Sequence, residues 1–292
     1  MKSARHSGRP PWLTVRAPFG RDVSRVKETL GRHGLLTVCR EARCPNVGEC
    51  WGEGTATVLI LGGVCSRGCA FCNVTSGQPA PPDLSEPARV AAAAAELRWR
   101  HVVVTSVTRD DLADGGAAQF ALVVEALRAL PSPPAVELLV PDFAGDRNAL
   151  ETVTRSCPDV LAHNVETVPR LYPEVRSRAS YERSLTLLSL AFGMAPGLLL
   201  KSGLMVGFGE TREEVVAVLE DLFAAGCRSV TIGQYLSPSR THPRVREYLP
   251  IEAFGELEDA ARGIGFPRVA SGPLVRSSYR AGGWDAPLDP VR

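Results

Sequence analysis

From residue 57 onward the chain alternates short apolar runs with stretches of helical periodicity, and few folds accept that pattern. The runs are TVLILG (57–62), HVVVTS (101–106), VELLV (136–140), VLAHN (160–164), LLKSGLMVG (199–207) and SVTIGQ (229–234). They are β-rich and nearly continuous in apolar character, as strands buried on both faces are. Between them stand EPARVAAAAAELRW, AAQFALVVEALRAL, YERSLTLLSLAF and TREEVVAVLEDLFAAG, whose apolar residues recur at three- and four-residue steps. A weaker helix around 146–156 and the segment IEAFGELEDAARGIG complete the series, and Thr211 with Glu214 fits a capping box. Six strand–helix units specify an α/β fold with a parallel sheet. Six is short of the eight that close a standard barrel, so a partial, open barrel and a doubly wound sheet both fit. The Pro-rich GQPAPPDLSEP (77–87) reads as a linker.

Composition sets looser bounds. The 292 residues are 45% hydrophobic and 22% charged, enough for a core of ordinary size. A formal net charge of +1 gives no global field directed at nucleic acid or a membrane. No apolar run reaches the length of a membrane span. Charge is uneven, however: residues 1–40 hold nine Lys or Arg and only Asp22 and Glu28 as acids. This start lacks the apolar region of a secretory signal. It reads as a basic arm able to meet an acidic protein partner, with an organelle transit peptide as the alternative that its prolines disfavour.

Of the eight cysteines, six lie between residues 39 and 72, in two sets of three. GGVCSRGCAFCN (62–73) places Cys65, Cys69 and Cys72 at Cys-x3-Cys-x2-Cys; VCREARCPNVGECW places Cys39, Cys44 and Cys50 at Cys-x4-Cys-x5-Cys. Thiolates at this density bind soft metals. Structural zinc takes four ligands in paired Cys-x2–4-Cys motifs, which neither set supplies. Three cysteines on a [4Fe–4S] cube leave one iron open, and an open metal position signals chemistry. Cys157 and Cys227 stand alone and are expected to be small buried hydrophobes.

Parallel α/β folds bind ligands at the carboxyl ends of their strands. There this chain places the loop of Cys65, the stretch TSVTRDDLADGG (105–116), HNVETVPRLYPEVR (163–176) and GFGE (207–210). Asp110, Asp111 and Asp114 lack a calcium-loop pattern and read as a solvated turn beside the site. His163, Asn164 and Glu166 suit either a helix start or polar contacts to a ligand. Arg178 and Lys201 suit either anion binding or salt bridges. Ser277 and Ser278, on composition alone, read as a turn.

Cys-x3-Cys-x2-Cys with Phe71 before its last cysteine resembles the signature of the radical S-adenosylmethionine (SAM) enzymes. Together with the upstream triad, the stretches at 105–116 and 163–176 and GPLVRSSY (272–279), it is similar to the lipoyl synthases over residues 10–281. The resemblance implies a partial (β/α)6 barrel over 55–265, an N-terminal extension (1–54) and a C-terminal extension (266–292) covering its open side. It implies that Cys65, Cys69 and Cys72 hold the cluster whose open iron binds SAM, and that Cys39, Cys44, Cys50 and Ser278 hold an auxiliary [4Fe–4S] cluster. Phe71, Asn164, Glu166, Arg178 and Lys201 are then expected around SAM.

The implied reaction inserts two sulfur atoms, drawn from the auxiliary cluster, at C6 and C8 of an octanoyl chain amide-linked to a lysine. The implied partners are octanoylated carrier domains (2-oxoacid dehydrogenase E2 subunits and the glycine cleavage H protein), ferredoxin or flavodoxin as electron donor, and an iron–sulfur carrier protein, with no nucleic acid and no membrane. The implied location is the bacterial cytoplasm, or alternatively an organelle matrix. A sulfur-inserting relative acting on a small molecule or tRNA would lack the upstream triad paired with RSSY, and a structural metal protein would not need two incomplete ligand sets.

Overall fold

Each of the six apolar runs forms a strand of one sheet. The computed structural model describes residues 10–15, 18–53, 55–279 and 281–284, so the first nine residues of the basic arm, with residues 16 and 17, lie outside the described residues. The strands are β1 (Leu36–Thr37), β2 (Thr57–Ile60), β3 (Val64–Cys65), β4 (Thr75–Ser76), β5 (His101–Ser106), β6 (Ala135–Leu139), β7 (Val160–Ala162), β8 (Leu199–Val206), β9 (Ser229–Gln234) and β10 (Arg268–Gly272). The helices are α1 (Arg21–Arg32), α2 (Val38–Glu41), α3 (Val47–Gly52), α4 (Glu86–Leu97), α5 (Ala117–Arg128), α6 (Arg147–Arg155), α7 (Tyr172–Val175), α8 (Tyr181–Met194), α9 (Arg212–Ala224) and α10 (Ile251–Ile264).

The large sheet runs β1-β2-β5-β6-β7-β8-β9-β10, parallel throughout except for β1, which pairs antiparallel with β2. It holds two strands beyond the six runs. β10, RVASG, carries little apolar character and is half-buried along its length, as an edge strand is. Its place is fixed by its ladder to β9 and by packing against α10. Each terminal extension therefore adds a strand to one edge of the sheet. β3 and β4 form a separate two-stranded ribbon that closes the loop of Cys69 and Cys72.

Alternate residues explain the curvature. Thr57 and Leu59 of β2, Val103 and Thr105 of β5, Gly203 and Met205 of β8, and Thr231 and Gly233 of β9 all face one cavity. Five strand spacings on a flat sheet would separate β2 from β9 by about 24 Å. Contact of both with the same cavity requires the sheet to curl around it. Among the described residues the sheet does not close, because β1 and β10 remain its two edges.

The outer layer comes from helices with one apolar stripe each. In α1 the buried Val23, Val26 and Leu30 recur at helical steps and pack toward α3 and α4. The capping box at Thr211 forms: its hydroxyl accepts from the Glu214 backbone, and the Glu214 carboxylate accepts from the Thr211 backbone. Cys227 is fully buried, and burial pushes its thiol up to about 12. Cys157 departs from the expectation of burial. It is exposed, with φ +56°, because it turns the chain out of the end of α6.

Candidate active site

The loop of Cys65, Cys69 and Cys72 is held from several sides. The β3–β4 ribbon closes its base, and the Gly77 amide donates to Cys65 O at 2.9 Å. The amides of Arg67 and Thr108 both point at Cys65 Sγ, at 3.4 and 3.3 Å, a donor set suited to a thiolate. Arg67 reaches outward in a bidentate pair with Asp110 at 2.7 Å and a second contact to Asp142 at 2.8 Å. Burial alone would raise the Asp142 carboxyl, but the Arg67 guanidinium overcomes it and holds the group at about 2. The Ala70 amide donates to Val175 O at 3.0 Å, fastening the middle of the loop to α7.

The upstream triad lies on two short helices. Thr37 caps α2, which carries Cys39; the Cys44 amide donates back to Cys39 O at 2.9 Å; α3 carries Cys50. The C-terminal segment clamps this turn. Asn46 Nδ2 donates to Leu274 O at 2.6 Å, and the Tyr279 hydroxyl donates to Glu49 at 2.8 Å. Gly233 makes the close approach possible, since a Cβ there would fall onto Val275 O. Asn73 Nδ2 donates to Glu41 O at 2.6 Å, joining the two cysteine loops. Arg43 donates to Pro238 O and His242 Nε2 to Cys72 O, each at 3.2 Å, so the segment after β9 ties to both.

Both triads face the same cavity of about 540 Å³, together with Phe71, Asn164, Glu166 and Ser278. The thiols are free. Burial raises Cys44, with Cys39 adding to the shift and Arg276 opposing it. Burial, then Cys44 and Cys39, push Cys50 up to about 12. Burial puts Cys72 at about 11. Only thiolates bind metal, so a cationic cluster held here would displace the thiol protons to solvent. Among the described residues no three Cys, His, Asp or Glu side chains converge tightly enough for one metal ion. Thiolates around one zinc lie at about 2.3 Å from it and so within about 4 Å of one another. A [4Fe–4S] cube, with an iron at each ligated corner, takes more widely spaced sulfurs, and three thiols per set on one cavity, which Ser278 also lines, suit it.

Arg178 and Lys201 do not join this group. Arg178 is exposed and donates to Ser66 O at 2.8 Å, bracing the cysteine loop from outside. Lys201 lies off the cavity in a buried pair with Glu137 at 2.8 Å, and His101 approaches the same carboxylate at 3.4 Å. A cation inside the barrel needs such a partner because water is absent. Asp110 is taken by Arg67, Asp111 by Arg109, and Asp114 accepts from the amides of Gly116 and Ala118 at the start of α5, so these three carboxylates build the turn. Asn164 Nδ2 donates to Glu166 at 3.0 Å. Burial raises the Glu166 carboxyl, and Arg176 opposes that shift.

Two cavity residues were missed from sequence: Arg176, ten residues past Glu166, and Arg276, which opens RSSY. Their signal lay in the quoted stretches, but arginines in loops are common and periodicity does not mark them.

The radical SAM superfamily profile matches residues 59–222, and the profile for the N-terminal domain of lipoyl synthase matches residues 1–44. A lipoyl synthase of Oleidesulfovibrio alaskensis is 52% identical over 272 residues, 93% of this chain and 93% of that one. A lipoyl synthase of Caldicellulosiruptor saccharolyticus is 53% identical over 273 residues, 94% of this chain and 96% of that one. Among solved structures, the fold is similar to Streptococcus suis SuiB bound to precursor peptide SuiA (TM-score 0.59, 10% identity, 85% of this chain and 52% of that one). It is also similar to methylornithine synthase (TM-score 0.54, 15% identity, 73% of this chain and 70% of that one). With two cysteine triads on one cavity and relatives this similar over nearly its whole length, the chain belongs to the lipoyl synthase family of the radical SAM superfamily.

Proposed function

We propose that this protein is a lipoyl synthase, inserting two sulfur atoms at C6 and C8 of an octanoyl chain carried on a lysine of a partner domain. One observation carries the reading: both cysteine triads open onto a single cavity, so a substrate chain there reaches both. Cys65, Cys69 and Cys72 would hold one [4Fe–4S] cluster, the one that takes SAM, and Cys39, Cys44 and Cys50 with Ser278 would hold the auxiliary one. When bound, these groups supply the electron that cleaves SAM to a 5′-deoxyadenosyl radical and the sulfur that is inserted.

The chain's own residues bind and shield. Asn164 and Glu166 offer a donor and an acceptor to the ribose hydroxyls of SAM, and Phe71 packs beside the cysteine loop. Leu59, Val103, Leu139 and Met205 give the cavity apolar walls that exclude water and suppress side reactions of a radical. A serine oxygen is a harder ligand than a thiolate, so Ser278 suits a cluster that is dismantled in turnover.

Residues 1–54, 55–265 and 266–292 serve as auxiliary-cluster extension, core and closing extension. The partners are octanoylated E2 subunits and glycine cleavage H protein, with ferredoxin or flavodoxin as donor and an iron–sulfur carrier to rebuild the auxiliary cluster. Among the described residues no helix is long and apolar enough to cross a membrane, and we place the reaction in the bacterial cytoplasm.

The test is anaerobic turnover with SAM, a reductant and an octanoylated carrier domain, read by mass spectrometry. The parent enzyme adds two sulfurs and holds about eight irons per chain. A Cys39/Cys44/Cys50→Ala variant is expected to hold about four irons and still form 5′-deoxyadenosine without sulfur insertion. An unmodified carrier with the parent enzyme, or full insertion with the variant, would refute the assignment.

A further inference from the structure

Arg176 is built into the cysteine loop rather than resting beside it. It follows α7 directly, and the residue before it, Val175, accepts the Ala70 amide at 3.0 Å. That bond sets Arg176 next to Cys69. The side chain is then fixed: Nη1 donates to Asn164 O at 2.9 Å, to Val165 O at 3.2 Å and to the Tyr172 hydroxyl at 3.3 Å. The guanidinium lies 5.5 Å from the centre of the Tyr172 ring, and Tyr172 is itself held by its hydrogen bond to Val165 O at 2.8 Å. Arg176 lines the cavity with Cys65, Cys69 and Cys72, and its buried Nε has no hydrogen-bond partner. Among the described residues no carboxylate pairs with it in a salt bridge. Glu166 is the acidic neighbour, and its carboxylate is engaged by Asn164.

We propose that Arg176 is a positioning residue for electron transfer: its fixed positive charge beside Cys69 makes the cluster held by Cys65, Cys69 and Cys72 easier to reduce. The inference rests on the reading that those cysteines hold the SAM-binding cluster. An electron entering a thiolate-ligated cluster adds negative charge to a site walled by apolar side chains. In such surroundings a nearby cation acts through a low dielectric and favours the reduced state. Arginine suits the task because it stays protonated when buried, where a lysine readily loses its proton. Net charge near the sulfurs is one lever by which a protein sets such potentials, and Arg176 supplies a positive charge beside Cys69.

The experiment is a redox titration of the full chain, reconstituted anaerobically with both clusters, following the electron paramagnetic resonance signal that changes when SAM is added. At a fixed applied potential, Arg176→Gln is expected to lower the reduced-to-oxidised ratio of that signal at least tenfold, a shift of about 59 mV for one electron. Arg176→Lys, which keeps the charge, is expected to stay near the parent ratio. A parental ratio in Arg176→Gln would overturn the inference, as would a fall in Arg176→Lys equal to that in Arg176→Gln. If Arg176→Gln takes up no iron, Arg176→Lys decides alone: a near-parental ratio supports the inference and a tenfold fall overturns it. A parent chain with no SAM-responsive signal would overturn the cluster assignment itself, which iron counting reports separately, and this inference with it.

Discussion

His163 is 1% exposed and both its ring nitrogens are engaged. Nδ1 donates to Val140 O at 2.8 Å, which fixes the tautomer, and Nε2 lies 3.0 Å from the Ser184 hydroxyl. Burial, with the Arg176 charge adding to it, lowers the imidazole to about 4. The sign follows from comparing states. Above about 6.5 the ring is neutral both folded and unfolded; between 6.5 and 4 only the unfolded chain takes the proton. The His163 contribution to stability is therefore lost as pH falls through that window, by about 3 kcal/mol in all, and this contribution levels off below pH 4. Urea unfolding of the cluster-free chain between pH 7.5 and 4 measures this. His163→Gln is expected to flatten that part of the profile, and an unchanged slope would assign the loss elsewhere.

Loops carry the chemistry, while helices such as α9 stabilise the frame that presents them. The capping box of α9 is reinforced by Arg170, which pairs with Glu214 at 2.7 Å and holds that carboxyl at about 2. Thr211→Ala removes the hydroxyl acceptor for the Glu214 amide and should cost about 1 kcal/mol. Iron uptake should not change, since α9 packs outside the sheet and neither Thr211 nor Glu214 lines the cavity. Equilibrium unfolding and iron analysis of one variant check both halves of this expectation. The cysteine loops behave differently. They gain order from single cross-chain bonds such as Asn73 to Glu41 and Arg43 to Pro238, so their stability is tertiary in origin.

At the scale of the molecule, the segment after β10 meets the turn that carries the upstream cysteines. The segment after β10 passes over Gly233, holds Asn46 and Glu49, and brings Ser278 to the cavity. Removing residues 274–292 should therefore strip the proposed auxiliary site of Ser278 and of its clamp while leaving the loop of Cys65 intact. Iron per chain is expected to fall from about eight to about four, with 5′-deoxyadenosine formation retained. Loss of both clusters would mean that the terminal segment supports the whole barrel.

The order of β2, β5 to β9 and the helices α4, α5, α6, α8, α9 and α10 was legible in the sequence because each of these carries its own periodic apolar pattern, and local pattern survives without knowledge of neighbours; the two-residue β3 and β4 and the single turn α7 carry none. The two cysteine sets were legible because metal ligands are read by residue type and spacing. β1 and β10 were not, because both are short and weakly apolar; pairing at the sheet edges makes them strands. The sequence likewise offered Arg178 and Lys201 for the cavity on the strength of their charge. Tertiary structure spent Lys201 on Glu137 and Arg178 on Ser66, and turned Arg176 inward through the bond between Ala70 and Val175. Which of several like charges faces a site depends on the path of the backbone between distant segments, and that path is set by packing and long-range hydrogen bonds, which no local pattern encodes.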